Sequence, residues 1–120
     1  MRVLVVEDHQ PLADAFADSI RANGHEAFIA TTGASAVSMA RTHEPHAVLL
    51  DLGLPDMDGY QVAREMREQG LPKTSVIIIV TGRQSQEVEG VDLVLQKPVE
   101  ADLLSGLVDY VTRRRRAQKL

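Results

Sequence analysis

The sequence predicts an α/β domain: a doubly wound, five-stranded parallel sheet with helices on both faces. Short aliphatic runs recur along the chain, and they are near-continuous rather than alternating. That pattern marks strands covered on both faces. Helical patterns, with apolar residues three or four apart, lie between the runs and specify right-handed strand–helix–strand crossovers. A length of 120 residues suits one such domain around one core.

The first strand is read at Val3–Val6. Leu12, Phe16 and Ile20 then recur every four residues, with Ala13 and Ala17 beside them. Pro11 sits near that helix's start, where its missing N–H costs nothing, and Asn23-Gly24 ends it. His25–Ala30, "HEAFIA", is more mixed in polarity and reads as an edge strand. Val37 and Ala40 serve a second helix from about Ala34 to Thr42, and Ala47–Leu50 is the third strand. Val62, Ala63 and Met66 serve a helix from Gly59 to about Gln69, closed by Gly70 and Pro72. Val76–Val80 and Leu93–Leu95 are the last two strands. Leu103, Leu104, Leu107, Val108 and Val111 give the final helix a broad apolar face. One crossover is short. Ten residues, "RQSQEVEGVD", separate Gly82 from Leu93. A crossover with its helix takes about 10–12 or more, so a shortened or missing fourth helix is expected here.

Composition narrows the function. Without cysteine there is no disulfide framework and no thiolate zinc site, in keeping with a cytoplasmic protein. No apolar run approaches a membrane span, so no membrane partner is expected. The charge is divided. Residues 113–120, "RRRRAQKL", carry five cations, leaving 8 cations against 17 acids in residues 1–112. The expected layout is a domain over 1–112 and a basic helix extension or linker over 113–120. An acidic body disfavours nucleic acid as its main partner.

The polar residues gather at the carboxyl ends of the strands. Strand one ends in Glu7-Asp8, strand three in Asp51, strand four in Thr81, and strand five in Gln96-Lys97-Pro98. Open α/β sheets bind ligands beyond those ends, where strand order reverses. With order 2-1-3-4-5, strands one and three lie about 4.8 Å apart, and three carboxylates crowd one crevice. Two charges ~4 Å apart repel by about 4 kcal/mol at an effective dielectric near 20. Such a cluster takes up protons or holds a cation. Ligands that are all oxygen favour Mg²⁺ or a relative. A carboxylate, a hard metal, a hydroxyl and an ammonium are the parts of a phosphoryl-transfer site. Asp51 is the best acceptor, because it stands between the acidic pair and the Thr81/Lys97 side.

Four segments in this order, "VLVVEDHQPLA", "AVLLDLGLPDMDGYQVAREMR", "VIIIVTG" and "LVLQKPVEADLL", resemble a two-component response-regulator receiver domain. Their phrasing is most similar to receivers attached to hybrid sensor kinases. The resemblance implies the flavodoxin-like form of the sheet and a phosphoryl group received on Asp51 from a histidine kinase or histidine phosphotransfer protein. It implies Mg²⁺ on Asp8, Asp51 and the Gly53 carbonyl, with Glu7 assisting through water. Thr81 would close onto the phosphoryl group, Lys97 would pair with it, and Lys97-Pro98 would be cis. An output domain or an adjoining kinase would be the further partner. Asp56 and Asp58 are read as solvated loop acids or helix-start acids rather than ligands. His9 is read as an exposed loop residue, and Arg83 as a modulator of water access or a solvated arginine. "RRRR" is read as a helix extension favoured by the negative end of the dipole.

Two departures stand out. Val94 occupies the position three before the lysine where such domains often carry an aromatic, and the fourth helix is short. Both leave room for a non-phosphorylated interaction module on the same fold. A Mg²⁺-dependent aspartyl phosphatase would need a second acid two positions after Asp51, where Gly53 stands. A dinucleotide site would need glycine after strand one, where "EDHQPL" has none.

Overall fold

The computed structural model describes residues 1–82 and 90–118. Among these, five strands form one parallel sheet: β1 (Arg2–Val6), β2 (Glu26–Ala30), β3 (Ala47–Leu50), β4 (Val76–Thr81) and β5 (Leu93–Gln96). Their order is β2-β1-β3-β4-β5. The helices are α1 (Gln10–Ala22), α2 (Gly33–His43), α3 (Gly59–Glu68) and α4 (Ala101–Ala117). The stunted helix expected between β4 and β5, and Arg83 with it, fall on residues outside the described ones.

Each sheet face supports its own apolar layer. Val3, Val5, Leu49, Ile78 and Val80 meet Ala13, Phe16 and Ile20 of α1 and Leu104 and Val108 of α4. Leu4, Val6, Val48, Leu50 and Ile77 meet Ala36, Val37 and Ala40 of α2 and Val62, Ala63 and Met66 of α3. A strand buried on both faces has no polar alternation, which is why "VLVV", "AVLL" and "VIIIV" read as continuous runs. β2 lies at one edge, as its mixed composition implied.

The last helix differs from expectation. Leu104 and Val108 are buried, while Leu103 is 66% exposed and turned away from the sheet. Five apolar positions span more arc than α4 can bury against one sheet. Its C-terminal turn is tied down. Arg115 donates to the Lys73 carbonyl at 3.0 Å and to Asp92, and Arg113 pairs with Asp109 at 2.9 Å. The basic run is therefore continuous with α4 through Ala117. No helix among the described residues is long and apolar enough to cross a membrane.

Candidate functional site at the carboxyl ends of the strands

Register brings the first two acids together. Val6 is level with Leu50 across β1 and β3. The next residues, Glu7 and Asp51, therefore leave neighbouring strands side by side. The Asp51 amide still donates to the Val6 carbonyl at 3.0 Å, so its carboxylate begins from fixed backbone. Carboxylate oxygens of Glu7, Asp8 and Asp51 lie within 4.8 Å of one another. Glu7 is the buried member, Asp51 is half-buried, and Asp8 is exposed. An all-oxygen donor set, open on the Asp8 side, fits a hard divalent cation that keeps several waters.

Lys97 enters from the loop after β5. Its Nζ lies 2.5 Å from Glu7 Oε1 and 3.8 Å from Asp51 Oδ1. The Lys97-Pro98 peptide is cis. Burial pushes the Glu7 carboxyl above its ordinary value; the Lys97 ammonium and the His9 amide oppose that. The His9 amide reaches Glu7 Oε2 over 3.2 Å. His9 itself is exposed and stands at the N-cap of α1.

Thr81 ends β4 and is 1% exposed. Its carbonyl accepts from the Lys97 amide at 2.8 Å, so Thr81 and Lys97 are joined through backbone. Val94 is half-buried on β5, level with Ile79.

The loop after Asp51 depends on glycine at one close approach. A Cβ on Gly59 would stand 2.7 Å from the Asp51 carbonyl oxygen and 2.7 Å from Leu52 Cα. Both are backbone atoms and cannot swing aside. Gly53 is level with Asp58 in an antiparallel bridge, and its Cβ position is 3.7 Å from Asp51 Oδ2. Its backbone thus runs beside the Asp51 carboxylate.

The two loop acids have different duties. Asp58 caps α3, accepting from the Tyr60 amide at 2.8 Å. Asp56 is exposed but not merely solvated. It accepts from the Gly33 and Ala34 amides at 2.7 and 2.9 Å, so it caps α2 rather than α3. Those two N–H donors hold its carboxyl below the ordinary value.

Sequence reasoning missed a second cluster, at the opposite end of the sheet. Asp92 precedes β5, accepts from the Ile77 amide at 2.8 Å, and pairs with both Arg67 and Arg115. It lines a cavity of about 630 Å³ with Tyr60, Arg64 and Lys73. Its partners come from α3 and α4, and nothing in the local pattern around "GVDL" announces them.

Fold and site define a class of protein: a parallel α/β domain with an acidic crevice and a lysine at the sheet's switch point. A family model for the response regulator receiver domain matches residues 3–109. The chain belongs to that family, the receiver domains of two-component systems, whose members interact with histidine kinases or phosphotransfer proteins.

Solved structures agree. A signal receiver domain from Vibrio parahaemolyticus is 29% identical with a TM-score of 0.87, covering 98% of this chain and 94% of its own. A CheY-like receiver domain from Methylobacillus flagellatus is 27% identical with a TM-score of 0.80, covering 92% and 98%. The receiver domain of a sensor histidine kinase from Pseudomonas aeruginosa PAO1 is 26% identical with a TM-score of 0.81, covering 92% and 96%. That structure has a magnesium ion coordinated in its active site cleft.

Proposed function

We propose that the chain accepts a phosphoryl group on Asp51 from a phosphohistidine of a kinase or phosphotransfer protein, with Mg²⁺ as cofactor. The observation that carries this reading is the convergence of Glu7, Asp8 and Asp51 within 4.8 Å, with Lys97 beside them. Asp8, Asp51 and the Gly53 carbonyl would hold the metal, and Glu7 would reach it through water. When bound, Mg²⁺ neutralises charge on the phosphoryl oxygens.

The chain's own groups account for the rest. An Asp51 carboxylate oxygen forms the new O–P bond as the P–N bond to the imidazole breaks. The electron pair leaves on the ring nitrogen, which takes up a proton. Lys97 moves from Glu7 toward the new phosphoryl oxygens, and the Thr81 hydroxyl donates to one of them. The Lys97 amide hangs on the Thr81 carbonyl, so a shift of Thr81 is felt at the end of β5. This is a two-state equilibrium biased by added charge. A partner, an output domain or an adjoining kinase, reads the altered surface. Val94 is too small to swing inward behind Thr81, so the backbone link carries the change.

Acetyl phosphate with Mg²⁺, followed by intact mass, tests the reading. One added phosphoryl is expected in the wild type and none in Asp51→Asn. Equal labelling of Asp51→Asn would move the acceptor elsewhere.

A further inference from the structure

The loop from Leu52 to Asp58 is a ring closed at one end and clamped at the other. At its stem Gly53 bridges Asp58, and the Gly59 amide donates to the Leu52 carbonyl at 3.2 Å. At its tip, Asp56 takes the Gly33 and Ala34 amides, the first two of α2. Thr32 takes the third, from Ser35, at 3.1 Å. The helix end thus has two independent caps, one local and one from the acceptor loop. Met57 completes the clamp. A Cβ on Gly33 would stand 2.3 Å from Met57 Cγ, so glycine leaves the seat that Met57 fills.

We propose that Asp56 is a positioning residue for the divalent cation, fixing the loop tip to α2 so that the Gly53 carbonyl is held at the right place beside Asp51. This rests on the reading of the acidic crevice as a Mg²⁺ site. Asp56 does not touch the metal. A ring closed by the Gly53–Asp58 bridge passes a displacement of its tip to its stem instead of absorbing it. Mg²⁺ demands near-ideal octahedral geometry, so a small misplacement of one oxygen is felt. Two amide donors and the positive end of α2 also satisfy the Asp56 carboxylate, so it does not compete for the ion.

The test is a Mg²⁺ titration of the full chain, followed by the backbone amide shifts of Asp8, Asp51 and Gly53. The variants are Asp56→Ala, Asp56→Asn and Thr32→Ala. Asp56→Ala is expected to bind Mg²⁺ about tenfold more weakly, the usual cost of losing a group that orients a ligand. Asp56→Asn keeps one acceptor oxygen and falls between, and it serves if the alanine variant does not fold. Thr32→Ala removes the other cap of the same helix end and keeps wild-type affinity. Unchanged affinity in both Asp56 variants overturns the proposal while wild-type binding upholds the magnesium reading. An equal loss in Thr32→Ala also overturns it, assigning the effect to the stability of α2. A wild type that binds no Mg²⁺ overturns both.

Discussion

Lys97 Nζ stands 2.5 Å from Glu7 Oε1 but 3.8 Å from Asp51 Oδ1, so its ammonium pairs more closely with the buried acid than with Asp51. Glu7's side chain is 4% exposed. A carboxylate there needs a counter-charge, and Lys97 supplies it.

Removing that ammonium strands a buried acid. Breaking a buried ion pair from one side costs about 3–5 kcal/mol. Lys97→Met is therefore expected to lose roughly 3 kcal/mol, since one partner is near the surface. Glu7→Gln added to Lys97→Met is expected to recover most of it. Urea denaturation of the four members of the cycle measures the coupling. A Lys97→Met variant as stable as the wild type would mean that water already serves Glu7.

Asp51 adds like charge beside Glu7 and pushes the Glu7 carboxyl further up. Without metal, Asp51→Asn is expected to gain about 1 kcal/mol, seen as a few degrees in Tm for a domain of this size. Mg²⁺ at 100 times its Kd is expected to stabilise the wild type by about 2.7 kcal/mol. EDTA removes that gain, and Asp51→Asn shows little of it. Thermal scans with Mg²⁺ and with EDTA separate the two effects. Equal Mg²⁺ shifts in both proteins would take Asp51 out of the metal site.

The sheet was legible because burial on two faces leaves a plain signature. Ile77, Ile78 and Ile79 are all fully buried, and no polar residue breaks their run. The convergence of Glu7, Asp8, Asp51 and Lys97 was legible because each candidate residue stands at or just past the end of such a run, and parallel strands bring their ends together. Long-range partners were not. Asp56 meets an α2 amide 23 positions away, and Asp92 meets Arg67 and Arg115 at 25 and 23. Periodicity says which side of an element faces inward, not which charged group will arrive there. Leu103 shows the converse: an apolar residue in the helical repeat whose place on the helix faces water.

Asp92 joins three elements through one carboxylate. It accepts from the β4 backbone at Ile77 and from guanidiniums of α3 and α4. Burial holds Arg67 below its ordinary value; Asp92 counters this, and the Arg115 charge adds to it. Asp92→Ala leaves two cations side by side and an amide without an acceptor. It is expected to cost roughly 3–4 kcal/mol and to loosen the last turn of α4. Amide exchange of residues 113–117 reads the loosening, and denaturation reads the stability. If exchange there is unchanged, the Asp92–Arg115 pair does not hold the last turn of α4.

His46 gives the fold a pH dependence of definite sign. Its Nδ1 accepts from the Arg2 amide at 2.9 Å. Burial holds the imidazole below its ordinary value, and the nearby Arg2 and Arg116 cations add to the effect. In the unfolded chain it titrates near ~6.5. Between that value and the lower native one, the unfolded state binds more protons, so stability falls as pH falls. The contribution is complete above ~6.5 and is lost on acidification through the native value. Glu7 runs the other way: its raised value means stability falls as pH rises above ~4.3. Asp56, depressed, contributes above ~3.9 and loses its share in stronger acid. His46→Asn offers an acceptor without the titration. Denaturant midpoints from pH 7.5 to 5.5 are expected to fall more steeply for the wild type than for His46→Asn. The difference in slope is bounded by one proton, about 1.4 kcal/mol per pH unit. Parallel curves would show that His46 protonates as easily in the native state as in the unfolded chain, and that the Arg2 amide does not depend on its lone pair.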